Sequence, residues 1–387
     1  MRINKTWKAI TAVLLAAGML LGGCGSAAQE KTQADSEAAG AAAASSVETV
    51  EETVVENVVS ESAAEEKGEE AVIDTVSASS VETEVQAAAE KEDVIRIGAL
   101  SGPTAMGLVE LMDRAEAGET VNTYAFAELS TEASAFVAPL VQGELDIAVI
   151  PSNLASVVYN KTEGGIKVLA AAVLGVQYIV ERGESIQSVA DLSGKTIYAT
   201  GQGAVPEAVL RTVLKGNGLE MDTDVTMHWC ADTTEALSYV AADEAAIAML
   251  PQPFATAAGA KVEGLHTALD LSEEWKALDN GSEVVTAVAV VRKAFAEEHP
   301  EAVASFMEEY RASAACVESD PDTTAERIEK YGILPAAALA KKALPSCSIV
   351  CIEGEEMKTM LSGYLQILAD NDPAMVGGSL PKDDFYE

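Results

Sequence analysis

Short, apolar, β-branched runs alternate with helical patterns along the chain from about residue 94 onward. Two of these runs, 94–100 and 195–200, have the length and composition of strands. Helical spacing of apolar residues follows each of them, at 103–118 and at 206–218. A chain that repeats strand and helix in this order is expected to fold as an α/β protein.

The first 24 residues have the order of an export signal. Three basic residues precede an apolar core at 10–21, which is shorter than the roughly 20 apolar residues that span a bilayer. Two glycines and Cys24 follow, which resembles a bacterial lipobox, where the cysteine becomes the lipidated first residue. We expect a signal peptide at 1–23 and a lipid anchor at Cys24. The alternative is an ordinary signal peptide with a chance cysteine.

The segment 24–93 contains 18 acidic residues, 3 basic residues and no aromatic residue. So few large apolar side chains do not offset the entropy cost of ordering such a charged backbone. We therefore expect a disordered acidic tether behind the anchor, with a reach on the order of 45 Å.

The rest of the chain, 94–387, has 294 residues, enough for one large or two modest domains. Its 44 acidic and 19 basic residues give a net charge of −25. This charge argues against a nucleic-acid partner and against contact with an anionic membrane surface.

Two turns between a predicted strand and a predicted helix, at 101–107 and 200–206, are candidates for a ligand site. Each presents small residues before a helix, whose first backbone N–H groups are unpaired and carry partial positive charge. In open α/β sheets, ligands bind at such carboxyl ends of strands. Two turns about a hundred residues apart predict two lobes that face each other across a cleft. The alternative is that the glycines serve turn geometry alone.

The sequence predicts binding rather than catalysis. His228, His266 and His299 lack metal-ligand spacing, and no GxSxG motif is present. The segment 200–206 mimics a dinucleotide-binding loop but has Pro206 where the last glycine is required. No catalytic residue, metal or cofactor is predicted. The cluster of His228 with its two following residues is expected to be a half-buried strand end.

The cysteines of the exported part are even in number, so disulfides are allowed. Cys347 and Cys351 are too far apart to pair if both lie in one strand. We expect the four cysteines Cys230, Cys316, Cys347 and Cys351 to be buried, and the sequence assigns them no pairing.

Four blocks, together with the lipobox and the acidic tether, resemble the solute-binding lipoproteins of bacterial ABC importers. The blocks are 143–151, 188–219, 245–258 and 290–310. The specific resemblance is to the group that binds aliphatic sulfonates, taurine, nitrate and thiamine-pyrimidine precursors, and it covers 94 to about 370.

The resemblance implies a two-lobed periplasmic-binding-protein fold of type II, with two crossovers and a ligand cleft between the lobes. Lobe one is expected at 94–180 and 287–387, and lobe two at 181–286. The lobes are expected to close on the ligand by a hinge motion.

The resemblance also implies a monomer that captures a small solute and delivers it to an ABC permease and its ATPase, without a cofactor. The cell membrane is the expected location, with the protein lipid-anchored on its extracytoplasmic face. Two alternatives are a small-molecule-converting enzyme on the same fold and a ligand-sensing lipoprotein without transport. A convergent acid, base or nucleophile would favour the enzyme, and the sequence shows no such pair at convincing spacing.

Ligand contacts are implied on four loops and on the strand that crosses between the lobes. The implied residues are Ser101, Gly102, Thr104, Met106, Ser152, Asn153, Gln177, Tyr178, Thr200, Gly201, Gln202, Gly203 and Gln252. Gln252 stands between two prolines, and we expect this rigid turn to present its amide to the ligand.

The four loops carry no arginine, which leaves two ligand classes open. Helix N-termini alone can hold an anionic head. The alternative, which the missing arginine slightly favours, is a flat heterocycle, neutral or cationic, that stacks on Tyr178, Phe254 or Trp229 and meets Glu207 or Asp232.

Overall fold

The computed structural model describes residues 94–387. The predicted signal peptide, the lipid anchor at Cys24 and the acidic tether lie outside the described residues. Within 94–387, no helix has both the length and the apolar character that a membrane crossing requires.

Strands and helices alternate through most of the described chain, as the sequence predicts. The strands are β1 (Ile95–Ala99), β2 (Tyr124–Phe126), β3 (Ile147–Pro151), β4 (Ile166–Leu174), β5 (Gln177–Glu181), β6 (Thr196–Ala199), β7 (Thr226–Trp229), β8 (Ile247–Pro251), β9 (His266–Asp270), β10 (Val285–Arg292) and β11 (Ile349–Ile352).

Most helices stand between strands, and the longest ones follow β10. They are α1 (Pro103–Met106), α2 (Val109–Ala117), α3 (Val137–Gln142), α4 (Ser152–Lys161), α5 (Val205–Gly216), α6 (Thr233–Ala242), α7 (Phe254–Gly259), α8 (Leu271–Lys276), α9 (Lys293–Glu298), α10 (Pro300–Ser319), α11 (Pro321–Lys330), α12 (Ala337–Ala343) and α13 (Gly354–Asn371). Short 3₁₀ turns lie at Ala133–Phe136, Val189–Leu192, Leu344–Ser346, Pro373–Val376 and Asp383–Phe385.

The strands form one six-stranded and one five-stranded sheet. Read from its β2 edge and without β11, the first sheet has the same strand order as the second. The first sheet runs β11-β4-β10-β3-β1-β2, and the second runs β7-β6-β8-β5-β9. In the first, β1 is parallel to β2 and β3, and β10 is antiparallel to both of its neighbours. In the second, β6 is parallel to β7 and β8, and β5 is antiparallel to both of its neighbours. The predicted two-lobed α/β fold with two crossovers is confirmed.

The described chain crosses between the sheets twice. β5 follows the first crossing and belongs to the second sheet, and β10 follows the second crossing and belongs to the first sheet. The apolar stretch 167–182 splits into β4 and β5, and the chain passes between the sheets at Gly175 and Val176. A Cβ atom on Gly175 would lie 1.9 Å from Oγ of Ser272, so the crossing is too tight for a side chain there. The predicted lobe boundaries, after residues 180 and 286, fall inside β5 and β10.

The C-terminal helix α13 joins the two lobes. Its buried residues Met357, Leu361 and Tyr364 belong to a hydrophobic cluster that also contains side chains of α5 and of β10. The ring of Tyr364 meets that of Trp275 edge-on, with centroids 5.7 Å apart. Burial of each side chain of this size contributes about 1.5–3 kcal/mol to the free energy of unfolding. Helix α13 therefore stabilises the packing of both lobes against one core.

Candidate functional site

In the first sheet, the candidate turns follow the neighbouring parallel strands β1 and β3. The register pairs Ala99 with Val149, so both strands end at the same edge of the sheet. Gly102, with a φ of 108°, begins α1, which has only four residues. The N–H of Ser101 donates to the carbonyl of Ser130 at 2.7 Å. Helix α4 follows β3 directly, and no side chain caps its N-terminus at Pro151.

The second sheet repeats this arrangement with β6 and β8, which are parallel neighbours. The turn after β6 contains Gly201 and Gly203, with φ values of 86° and 72° that favour glycine. Helix α5 follows, and no side chain caps its N-terminus at Ala204. The carboxylate of Glu207 accepts the N–H of Gly203 at 2.8 Å, which ties the turn to the first turn of α5.

One strand-end turn of each lobe is hydrogen-bonded to a segment where the chain crosses between the sheets. The hydroxyl of Ser152, at the start of α4, donates to the carbonyl of Val285 at the start of β10. Val285 pairs with Leu174, the last residue of β4. Two residues later, the carbonyl of Val176 accepts the N–H of Gln252 at 2.9 Å. A single path through both crossings therefore connects the turn after β3 with the turn after β8.

The predicted site residues divide by their exposure. The half-buried ones are Ser101, Gly102, Asn153, Gln177, Thr200 and Gly201, and the exposed ones are Gln202 and Gly203. The buried ones are Thr104, Met106, Ser152, Tyr178 and Gln252. The half-buried and exposed residues all lie at strand ends or at helix starts, where a ligand can reach them.

The side chains of all five buried residues are engaged within the protein, Ser152 through its hydrogen bond to Val285. Met106 is 1% exposed and belongs to the hydrophobic cluster on one face of the first sheet. The hydroxyl of Thr104 donates to the carbonyl of Leu100. The hydroxyl of Tyr178 donates to the carbonyl of Ser346 at 2.9 Å, and its ring packs in the core of the second lobe.

Gln252 lies differently from the sequence expectation. Its side chain is 5% exposed, so it is not a surface amide. Its Oε1 accepts hydrogen bonds from Oγ1 of Thr256 at 2.8 Å and from the N–H of Thr256 at 3.3 Å. The amide oxygen therefore supports the first turn of α7, where the flanking prolines supply no N–H of their own.

The acidic partners considered for a cationic ligand are already engaged. Glu207 is paired with Arg211 on the next turn of α5, in addition to its bond from Gly203. Asp232 caps α6 by accepting the N–H groups of Thr234 and Glu235 at 2.8 and 2.9 Å. Both carboxylates therefore already have partners within the protein, which disfavours their pairing with a cationic ligand.

The candidate stacking rings are also packed within the protein. Trp229 and Phe254 are both half-buried. Trp229 packs against the large hydrophobic cluster of the molecule, and Phe254 packs against the cluster that contains Tyr178. A flat ligand would have to use the remaining exposed parts of these rings.

The cysteine side chains of the described part are free thiols. Burial raises the pKa of Cys347 to about 12. Burial, followed by the charge of Glu353, raises the pKa of Cys351 to about 12. These two thiols stay protonated at neutral pH and are poor nucleophiles.

Two residues at the strand ends were not selected from the sequence. Ser130 bridges to Leu100 and brings the end of β2 beside the turn at Ser101. The sequence does carry a signal for Ser130, because it directly follows the run 123–129, whose alternating aromatic and small residues are typical of a strand. Ser346 contacts Tyr178 from a segment 168 residues away along the chain, and the sequence has no signal for this contact.

A family model described as NMT1/THI5 like matches residues 131–324, which is half of the chain. A sequence search of curated proteins gave no match.

Solved structures are similar across most of their own length. A structure described as an ABC transporter from Parabacteroides distasonis has a TM-score of 0.63 and 24% identity, covering 76% of this chain and 98% of that one. The periplasmic aliphatic sulphonate binding protein SsuA from Escherichia coli has a TM-score of 0.58 and 16% identity, covering 74% and 90%. The alkanesulfonate-binding protein SsuA from Xanthomonas axonopodis pv. citri, bound to MOPS, has a TM-score of 0.51 and 16% identity, covering 75% and 94%. At these identities the similarity establishes the periplasmic-binding-protein fold.

Proposed function

The chain belongs to the NMT1/THI5-like family, and on that premise we propose that it is the extracytoplasmic solute-binding component of an ABC importer. The observation that carries the proposal is the pair of matching strand-end turns in two sheets joined by two crossing strands. It supports the proposal because half-buried polar residues of both lobes lie at strand ends near the two crossings, where a hinge closure would enclose a small solute. The names of the similar structures support the same class of function.

For the ligand, we favour a small solute with an anionic or strongly hydrogen-bond-accepting head, of the sulfonate type. Helices α4 and α5 begin at the strand ends without side-chain caps, so their first N–H groups can serve an acceptor oxygen. The two carboxylates considered for a cationic heterocycle are engaged by Arg211 and by the N-terminus of α6. The sulfonate ligands in the names of two similar structures agree with this choice.

The proposed setting is the extracytoplasmic face of the cell membrane, with the lipid on Cys24 as anchor and a permease with its ATPase as partners. Its support is the order of basic residues, apolar core, small residues and cysteine at 1–24. The acidic segment 24–93 then serves as the tether that lets a monomeric binding domain reach the permease.

A thermal-unfolding screen with five solutes tests the binding function. Taurine, an alkanesulfonate and nitrate represent the anions, and thiamine and an aminopyrimidine represent the heterocycles. A true ligand at 100 times its dissociation constant should add about 2.7 kcal/mol to the free energy of unfolding. We expect the stabilisation from a sulfonate. Stabilisation by a heterocycle alone would reject the ligand class but keep the binding function, and no response to these or to a broader metabolite panel would contradict both.

Two further measurements separate this function from its alternatives. Mass spectrometry of the solute after prolonged incubation should recover it unchanged, whereas turnover would support an enzyme on the same fold. Reconstitution with its proposed permease and ATPase should give solute-dependent ATP hydrolysis. Binding without any such stimulation would favour a sensor.

A further inference from the structure

The end of β7 and the first turn of α6 bring together three side chains that ligate metals. They are His228, Cys230 and Glu235, and their donor nitrogen, sulfur and oxygen atoms all lie within 4.8 Å of one another. Within residues 94–387, no other group of three or more His, Cys, Asp or Glu side chains meets this criterion. The sequence does not predict a metal here, because the three histidines lack metal-ligand spacing and His228 with its two following residues is expected to be a strand end.

The local fold explains the convergence. His228 and Cys230 are two residues apart at the end of a strand, so their side chains point to the same face of the sheet. Helix α6 covers that face, and Glu235 stands on its first turn. The N–H of Cys230 donates to the carbonyl of Ala199 at 2.7 Å, which anchors the thiol beside β6.

Two of the three side chains are also oriented by their neighbours. The carboxylate of Glu235 accepts the N–H of Ala231 at 2.7 Å through Oε2, which leaves Oε1 for another partner. The ring of His228 lies 5.0 Å from the rings of both Tyr198 and Tyr239. In known metal sites, a hydrogen bond such as the one from Ala231 orients the ligating carboxylate.

We propose that His228, Cys230 and Glu235 bind one divalent cation of borderline softness, for which Zn²⁺ is the best fit. One imidazole, one thiolate and one carboxylate select Zn²⁺ and similar transition metals over Mg²⁺ and Ca²⁺, which prefer oxygen ligands alone. Cys230 gives up its thiol proton to solvent on binding, and the two negative ligands then balance the two positive charges of the ion.

The geometry is compatible with a single ion after a small adjustment. Zinc bonds of about 2.0–2.3 Å place tetrahedral ligand atoms roughly 3.3–3.7 Å apart. The buried thiol of Cys230 is the fixed point of the site. His228 is exposed and Glu235 is half-buried, so both can move by the required ångström. Their exposure also leaves a fourth coordination position open to water, as in zinc sites with three protein ligands.

The site lies beside the candidate ligand turn and is separate from it. Cys230 pairs with Ala199, the residue directly before Thr200, whose turn leads to Gly203. A bound ion would therefore hold the β7–α6 turn and the end of β6 in one position. This inference does not depend on the proposed solute.

Titration of the full-length, untagged protein with Co²⁺ tests the site, because tetrahedral cobalt thiolates give a charge-transfer band and strong visible bands. We expect saturable binding of one ion with a charge-transfer band, and displacement of Co²⁺ by Zn²⁺. Cys230→Ser should abolish the band. Cys316→Ser, a half-buried thiol outside the cluster, should leave it unchanged.

Glu235→Gln is the sharpest variant, because its amide oxygen can still accept the N–H of Ala231 while the carboxylate is lost. Its affinity for Zn²⁺ should fall by at least the roughly 10- to 100-fold that follows when a ligand only loses its supporting hydrogen-bond partner. His228→Gln should behave likewise, and His266→Gln should bind normally. A wild-type protein without the band, or a band that persists in Cys230→Ser, would overturn the proposal. Circular dichroism of each metal-free variant checks that the fold is retained.

Discussion

The hydroxyl of Tyr178 donates a hydrogen bond of 2.9 Å to the carbonyl of Ser346. Tyr178 lies on β5 of the second sheet, and Ser346 precedes β11, which pairs with β4 of the first sheet. Burial, and then the charge of Asp270, raises the pKa of Tyr178, so the hydroxyl remains a donor at all working pH values. This bond ties the two lobes together beside the first crossing.

Tyr178→Phe should lower the free energy of unfolding by about 1 kcal/mol, because it removes one bond and leaves the carbonyl of Ser346 without its donor. Urea unfolding followed by circular dichroism measures this change. Tyr310→Phe is the matched control, since the buried Tyr310 hydroxyl has no hydrogen-bond partner within 94–387. The control should unfold like the wild type or be slightly more stable. Equal losses in both variants would mean that the Tyr178 bond contributes nothing specific.

The α/β alternation was predictable because strands and helices differ in apolar period, and both sheets follow from it. The break between β4 and β5 was not predictable. Both strands lie between two neighbours in their sheets, and between residues 168 and 180 only Gln177 and the hydroxyl of Tyr178 interrupt the apolar run, so no change of pattern marks the crossing. Strand β11 was also missed, because four half-buried residues after a helical region have no distinctive period.

The sequence located the turns of the candidate site better than its side chains. Positions such as Thr200 and Gly203 follow from the rule that ligands meet the carboxyl ends of strands. Whether Met106 or Gln252 points outward depends on packing across the sheet and on partners such as Thr256, which local sequence does not encode. Local sequence does not encode the contact of Tyr178 with Ser346 either, because the two residues are 168 positions apart in the chain.

Asp146 should make the protein sensitive to acid. It is 1% exposed and accepts hydrogen bonds from Arg96 at 2.6, 2.8 and 3.0 Å and from Arg292 at 3.2 Å. Burial raises the pKa of Asp146, but the bonds from both arginines outweigh it and hold the pKa below its usual value. The stabilisation is therefore complete above the unfolded-state pKa of about 3.9 and is lost as the pH falls through the folded-state pKa.

Asp146→Asn should lower the free energy of unfolding near pH 7 by about 2–4 kcal/mol. This loss is smaller than the loss on breaking a fully buried ion pair, because the side chain of Arg96 is 41% exposed and water can hydrate it. The difference between wild type and variant should persist at about pH 5 and narrow toward about pH 3. Urea unfolding across this range measures it. Asp322→Asn removes a carboxylate that is 73% exposed and should change little at any pH. A difference that grows on acidification would contradict this account.

Cys24→Ala should move the protein from the membrane fraction to the soluble exported fraction, because it removes the only proposed lipid attachment. Ligand affinity should be unchanged, since a long tether keeps the anchor and the binding domain independent. Fractionation of cells with immunodetection, and calorimetric titration of the released protein, measure the two effects. Cys316→Ala should fractionate like the wild type. Retention of Cys24→Ala on the membrane would place the anchor in another segment.

Gln252→Ala should lower stability by about 1–2 kcal/mol in the absence of ligand, because it removes a buried acceptor of two bonds from Thr256. Thr256→Val removes only the hydroxyl bond and should cost less. If the amide also meets the solute, Gln252→Ala should weaken binding by roughly 2- to 12-fold beyond the effect of Thr256→Val. Equal dissociation constants for the two variants would limit Gln252 to a structural role.

Asn153→Asp distinguishes the two ligand classes. Asn153 is the second residue of α4, is half-buried, and follows an N-terminus that no side chain caps. A carboxylate there should interact favourably with the helix dipole and raise stability by about 0.3–1 kcal/mol. The same charge should weaken the binding of an anionic solute that uses these N–H groups and strengthen the binding of a cationic heterocycle. Asn280→Asp makes the same chemical change at an exposed position outside the four loops and should alter neither affinity. Calorimetric titration of both variants decides the matter: tighter binding of a sulfonate to Asn153→Asp would exclude the start of α4 as the site of the anionic head.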